Sequence, residues 1–410
     1  MSDPYFQSLF AERIGGAGYG KGTAIYKFEK IKRAKRAAIA DFPDRPLLDF
    51  GIGENDDMAP ASVRERMKLE IDQLGNRGYA DNGIQEYKEA AAAYMRREFG
   101  VTLDSATEIN HSIGTKPALA MLPACFINPG DITLMTVPGY PVAGTHTRYY
   151  GGQVFTLPLL EQNGFHPNLH AIPEDVRRRA KLLVINFPNS PTGAVADEAF
   201  YRQVIEFALA HQVVVVQDAT HIQFTYGRKP LSFLQVDGAR EVGVELHSMS
   251  KAFDMIGWRL GFVAGHERIV RAFADVKDNS DSGQFIAIQK AAITALSDPA
   301  IPQRIRAKYE RRLGKLVAAL NEVGFEAKMP GGTYFLYVRA PKGVLGGPQF
   351  AGAEDCSQFL IRQRSICTVP WDDAGPYLRF SVTYHAPTEA DEDALMASLK
   401  HRLTEVSFIW

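Results

Sequence analysis

A mainly parallel α/β fold with a second, smaller α+β part is predicted by three observations. Between residues 100 and 265, short apolar runs alternate with amphipathic helical stretches. The clearest of those runs stop at polar or turn residues. After residue 290 the alternation gives way to one long charged helix followed by strand-like segments. A chain of 410 residues can bury a large core and divide into about two or three domains. The expected division is 50–290 for the sheet domain and 1–49 with 291–410 for the smaller one.

Near the start, "GGAGYGKG" mimics a dinucleotide-binding fingerprint, but no strand precedes it, so a mobile glycine loop is expected. In "KFEKIKRAKRAA", Phe28, Ile31, Ala34 and Ala38 recur at helical spacing, which predicts a helix whose lysines and arginines form a solvated basic face. The first 45 or so residues are expected to join the smaller domain or to close over the site. "INHSIGTKPALAMLPACF" opens with small and polar residues and then turns helical. That is a helix N-terminus with free amides and a positive dipole end, suited to an anion, with Thr115 and Lys116 beside it. The spacing of a nucleotide-binding P-loop is absent. Strands are expected at 132–137, 182–187, 213–217 and 242–247. In open α/β sheets, ligands sit outside the carboxyl ends of the strands. Tyr140, Ser190, Asp218, His221, Ser248 and Lys251 would therefore converge on one crevice. "IPQRIRAKYERRLGKLVAALNEVG", "GGTYFLYV" and "YLRFSVTY" make up the α+β part.

Composition narrows the classes. Lys+Arg 46 against Asp+Glu 47 leaves a formal net charge of -1, so no global field recruits nucleic acid or an acidic membrane. Three cysteines, Cys125, Cys356 and Cys367, match no metal or redox spacing and point to a reducing compartment. No run reaches membrane-spanning length and the first residues lack a signal-peptide core, so a cytoplasmic location is expected. No histidine cluster argues for a metal.

The chemistry gathers around "HSMSKAFDMIGWRLGF". A lysine does covalent work when its amine is held neutral near a carbonyl, with which it forms a Schiff base. If that carbonyl belonged to a phosphorylated cofactor, hydroxyl donors and a permanently charged guanidinium would be needed nearby. Ser248, Ser250 and Arg259 supply them. Standing alone, each of these residues has a plainer reading: a solvated lysine, a helix-capping arginine, an aspartate N-cap, a core tyrosine.

Together, the lysine, serine and arginine after one strand, the aspartate after another, the aromatic after a third and P-T-G after a fourth resemble a fold-type I pyridoxal-phosphate aminotransferase of class I/II. The likeness covers nearly the whole chain. "YADNGIQEYKEAA", "KPALAMLPACFINPGD", "KDNSDSGQFIAIQKAA" and "CTVPWDDAG" look closest to the bacterial LL-diaminopimelate aminotransferases. The resemblance implies pyridoxal 5'-phosphate bound through Lys251, which would also move the proton at the substrate α-carbon. Asp218 would pair with the pyridinium nitrogen and Tyr140 would stack on the ring. Ser248, Arg259, Thr115 and Lys116 would bind the phosphate. Tyr79 would reach the phosphate of a neighbouring subunit, which implies a homodimer with shared sites. Arg379 would clamp the substrate α-carboxylate, with Gly53 and Tyr26 as further substrate contacts. The implied reaction converts LL-diaminopimelate and 2-oxoglutarate to tetrahydrodipicolinate and glutamate. A broader aminotransferase, a diverged lyase or decarboxylase, and a non-catalytic binding protein are the alternatives.

Two positions depart from the family pattern. Where N-P-T-G usually carries an asparagine, "PNSPTG" has Ser190, with Asn189 one residue early; where D-x-A-Y carries a tyrosine, "DATH" has His221. Both would face the cofactor's ring oxygen, which controls the acidity of the lysine-bound nitrogen.

Overall fold

The computed structural model describes residues 4–21 and 27–410, so Tyr26 lies outside the described residues. Seven strands form the main sheet: β1 Ile109–Ser112, β2 Ile132–Val137, β3 Gln153–Pro158, β4 Ala180–Asn186, β5 Val214–Asp218, β6 Gly243–Ser248 and β7 Gly261–Gly265. Their spatial order is β1-β7-β6-β5-β4-β2-β3. Strands β2 to β6 pair in parallel, while β7 runs antiparallel to both β6 and β1. The sheet is thus mixed and mainly parallel. The four strands expected from the apolar runs are β2, β4, β5 and β6, with ends within two residues of expectation.

Alternation along the strands divides the core into two layers. Leu134, Leu183, Ile185 and Val215 face one side with Tyr201 and Val204 of the helix Glu198–His211. Met135, Leu182, Val184, Val216, Val244 and Leu246 face the other, against Leu119 and Leu122 of the helix Thr115–Phe126 and Phe273 of the helix Glu267–Asp278. Side chains of a strand point alternately to its two faces, so strands covered on both sides read as continuous apolar runs. That is why β4 and β5 were visible as the runs 182–185 and 213–216, while β2 and β6 carry Thr133, Thr136, Glu245 and His247 among their apolar residues.

The α+β part contains an antiparallel sheet of β8 Phe335–Arg339, β9 Val369–Trp371 and β10 Tyr377–Ser381, in the order β9-β10-β8. The basic helix forms as expected over Lys27–Asp41, burying Ile31, Ala34 and Ala38 against Ile361, Cys367 and Val369. Leu48–Asp49 pairs in parallel with Ile366–Cys367. This N-terminal stretch therefore joins the α+β part. The glycine-rich stretch ahead of it holds a 3-10 turn at Gly16–Gly18, not an irregular loop throughout.

Residues 50–57, "FGIGENDD", run between the two parts and are fastened to the smaller one. Ser381 N–H donates to Phe50 O, and Thr383 Oγ1 donates to Ile52 O. Arg312, fully buried on the helix Ala300–Glu322, donates to Asp56 Oδ2 at 3.1 Å and to Glu392 Oε1 at 2.8 Å, as well as to the carbonyls of Val382, Tyr384 and Ala386. A buried guanidinium with all these acceptors meets the condition under which a buried charge is tolerated.

Candidate active site

A cavity of about 730 Å³ opens at the carboxyl ends of β2, β4, β5 and β6. Twelve of the fourteen residues singled out in the sequence line it: Gly53, Thr115, Lys116, Tyr140, Ser190, Asp218, His221, Ser248, Ser250, Lys251, Arg259 and Arg379. Tyr79 does not; it is 85% exposed on the surface of its own chain.

Lys251 sits in a short helix after β6, capped by Ser248, whose Oγ accepts the Ser250 N–H at 3.0 Å. Its Nζ donates to Gly53 O at 2.6 Å, and the same carbonyl accepts the hydroxyl of the buried Tyr334 at 2.7 Å. Burial pushes the lysine down to about 8; the Arg379 and Arg259 charges act in the same direction and Glu54 opposes. A desolvated amine beside other cations is readily neutralised, the state a Schiff-base lysine requires.

Asp218 ends β5. Its Oδ1 accepts from the Thr220 hydroxyl at 2.6 Å and the Thr220 N–H at 3.0 Å, while Oδ2 has no hydrogen-bond partner among the described residues. Burial raises its carboxyl, with Thr220 and His247 opposing. A buried carboxylate with one open oxygen suits a cationic N–H, because pairing offsets the cost of keeping the charge.

The anion pocket is built from β6, the loop after it and the start of the helix Thr115–Phe126. Arg259 Nη1 donates to Ser250 Oγ at 3.2 Å and to Ile256 O at 3.0 Å. Both serine oxygens are then acceptors, which leaves each hydroxyl proton to donate elsewhere. Gly114 caps the neighbouring helix at φ +82°, and a Cβ there would lie 2.5 Å from Arg259 Nη2. Only glycine leaves the guanidinium its place at the helix N-terminus.

Arg379 on β10 is buried. Its Nη2 donates to Gly51 O at 3.2 Å, its guanidinium lies 4.1 Å from the Phe335 ring centre, and its Nε has no partner. Burial pushes it down to about 10, so it stays charged at neutral pH. A buried, incompletely paired guanidinium facing a cavity is a ready carboxylate clamp.

The two departures from the family pattern meet on the same wall. His221 is buried, its Nδ1 has no partner, and burial, with Lys251 and Arg379 adding, pushes it down to about 3. The ring is therefore neutral and carries one N–H. Ser190 N–H donates to Asn186 Oδ1 at 3.0 Å, and Asn186 Nδ2 donates to Asp218 O at 2.8 Å. Asn189 does not substitute for the missing asparagine: it is fully buried, outside the cavity wall, with Oδ1 taken by Thr192 N–H and Oγ1.

Among the lining side chains that sequence reasoning missed are Asn186, Thr220, Tyr334 and Phe335. Thr220 lay inside the quoted "DATH", and Asn186 within the strand expected at 182–187. Tyr334 and Phe335 carried no signal beyond their place in "GGTYFLYV", because it is the long-range packing of the α+β part that brings them to the cavity.

Pyridoxal phosphate fits these residues. The orphaned His221 nitrogen, the open Asp218 oxygen, the two free serine hydroxyls and the glycine-cleared Arg259 are the polar groups that its ring oxygen, ring nitrogen and phosphate require.

A family model for class I and II aminotransferases matches residues 45–396. The chain is 56% identical over its full length to an LL-diaminopimelate aminotransferase from Methanococcus maripaludis, covering 100% of that protein. It is also 56% identical to one from Methanocaldococcus jannaschii, over 98% of each chain. Among solved structures, substrate-bound BacF from Bacillus subtilis superimposes with TM-score 0.86 at 28% identity, over 97% of this chain and 98% of that one. An aspartate aminotransferase double mutant from Thermus thermophilus does so with TM-score 0.83 at 25% identity, over 96% and 99%.

Proposed function

The chain belongs to the class I and II aminotransferases, which are pyridoxal-phosphate enzymes, and from that premise we propose that it transfers the amino group of LL-diaminopimelate to 2-oxoglutarate. The observation that carries transamination is the desolvated Lys251 amine sharing one cavity with Asp218 and Arg379. Support for diaminopimelate comes from the two relatives at 56% identity across the whole chain.

When bound, the cofactor supplies an aldehyde that condenses with amines and a ring that draws electrons away from the substrate α-carbon. The chain's own residues do the rest. Ser248, Ser250, Arg259 and the helix start at Thr115 and Lys116 hold the phosphate, and Tyr140 covers the ring face. Asp218 accepts the ring N–H and keeps that nitrogen cationic. Arg379 grips the substrate carboxylate, which fixes the bond that lies perpendicular to the ring. With the cofactor bound, Lys251 would hold it through its amine, and the freed Nζ would serve as the base that moves the proton at the substrate α-carbon. His221 and Ser190 donate to the ring oxygen in place of tyrosine and asparagine.

We read the enzyme as a cytoplasmic homodimer with domains 50–290 and 1–49 plus 291–410. Supporting this, no helix among the described residues is long and apolar enough to cross a membrane, all three cysteines are free, and Tyr79 is exposed away from its own cavity. The test is the half-reaction: protein loaded with cofactor is mixed with LL-diaminopimelate and no acceptor. Loss of the visible absorption is expected. An unchanged spectrum that alanine, aspartate or an aromatic amino acid does alter would move the assignment to that donor. A Lys251→Ala variant equal to wild type in turnover would leave only a binding protein.

A further inference from the structure

The turn that carries Lys251 is fastened by two residues that none of the roles above uses. The Asn55 amide nitrogen donates to the Lys251 carbonyl oxygen at 2.7 Å and to Asp254 Oδ1 at 2.5 Å. Two residues earlier, Gly53 O receives the amine of that same lysine. Residues 53–55 therefore hold one lysine at both ends. The orientation of Asn55 is determined: its Oδ1 is buried without a partner, and turning the amide over would press that oxygen against two acceptors. Asp254 is buried, and Asn55 is the only hydrogen-bond donor its carboxylate meets among the described residues. The Asp254 backbone lies at φ +53°, a conformation that a non-glycine residue keeps only where its surroundings hold it.

We propose that Asn55 and Asp254 are positioning residues for the catalytic lysine: Asp254 orients the Asn55 amide, and Asn55 pins the Lys251 carbonyl so that the freed amine returns to Gly53 O. This rests on the assignment of Lys251 as the cofactor-binding residue. The charged groups around Asp254 are Asp56, Asp57 and Lys308; burial pushes its carboxyl up to about 7, with Asn55 and Lys308 opposing. A carboxyl so close to neutrality acts here as a hydrogen-bond acceptor more than as a fixed charge. Lys251 must leave and retake one position in each catalytic cycle, and a small misplacement of a reacting atom slows such a step severely.

The experiment follows reattachment of pyridoxal phosphate to apoprotein, in which the Lys251 amine condenses with the aldehyde and releases water, by the growth of visible absorption. Wild type must develop the band and Lys251→Ala must not; if either fails, the underlying assignment falls, not the positioning role. Asn55→Ala and Asp254→Gly are then compared, glycine being chosen because it removes the carboxylate, together with its CH2, while tolerating the left-handed backbone. Each is expected to slow reattachment and kcat by about tenfold with KM within about twofold, and the double variant to be no worse than either single one. Asp254→Asn, which keeps an acceptor oxygen, should reattach the cofactor at least about threefold faster than Asp254→Gly. Thermal melts of the holoproteins identify any variant that has merely lost its fold, and the asparagine variant then carries the comparison. Rates within twofold of wild type in both deletions, multiplicative losses in the double variant, or Asp254→Asn as slow as Asp254→Gly would each overturn the proposal.

Discussion

His221 stays neutral across the physiological range, because burial and two neighbouring cations all disfavour its charged form. Histidine is the side chain that ordinarily titrates near pH 6.5, yet the acid limb of the pH–rate profile should carry no inflection from this one. Lys251 sets a different limb. Its folded value of about 8 means that the neutral, reactive amine is the minority form below that pH and the majority form above it. Reattachment of cofactor to apoprotein should therefore fall by about tenfold for each pH unit below 8 and flatten above it, and a His221→Gln variant should show the same midpoint. Gly114 offers a steric test. An alanine there would combine a φ of +82° with a Cβ 2.5 Å from Arg259 Nη2, so Gly114→Ala should weaken pyridoxal-phosphate binding by at least about tenfold, as measured by equilibrium titration of the apoprotein.

At the scale of elements, the legible strands were those buried on both faces. Strands β4 and β5 read as apolar runs because their residues pack on both faces, whereas β2 is interrupted by Thr133 and Thr136 and β6 by the buried Glu245 and His247. The other three were not read. β1 contains Asn110, His111 and Ser112, whose burial beside β7 no local pattern announces, and β3 lies at the sheet edge with Gln153, Thr156 and Pro158 exposed. β7 is a five-residue run whose antiparallel direction depends on its pairing with β6, a tertiary fact. The buried junction of the helices Ala300–Glu322 and Glu389–Thr404 gives a stability test. Burial pushes the Glu392 carboxyl up, but hydrogen bonds from Arg311, Arg312 and Lys315 outweigh it and hold the group down to about 2. Its stabilising contribution is complete above the ordinary carboxylate value and is lost as pH falls from there toward 2. Glu392→Gln, which leaves Arg312 buried with less charge compensation, should cost about 3–5 kcal/mol in a urea melt at neutral pH, and that difference should shrink as the melt is repeated at lower pH.

For the molecule as a whole, the site was legible as chemistry before it was legible as geometry. Lys251 and Arg259 share one segment, Asp218 and Arg379 come from two others, and ordered motifs were enough to name them. Asn55, Tyr334 and Asn186 act through contacts with residues far away in sequence, and no spacing rule connects position 55 with position 251 or 334 with 53. Tyr79 tests the assembly. If it serves a neighbouring subunit's site, then Lys251→Ala and Tyr79→Ala chains, each nearly inactive alone, should regain activity when unfolded and refolded together, since one mixed site then has both residues intact; separate refolding followed by mixing on ice is the control. One feature of the cavity bears on how the enzyme can change over generations. The freed lysine's acceptor is the peptide oxygen of Gly53, which also receives the Tyr334 hydroxyl. No codon change deletes a main-chain carbonyl. Ser190 and His221 could drift from their usual identities while the lysine kept its place, and a Cβ added at position 53 would make only ordinary contacts, 3.7 Å from Phe335 and 4.0 Å from Arg379 Nη2, so Gly53→Ala should leave the lysine's acceptor where it is.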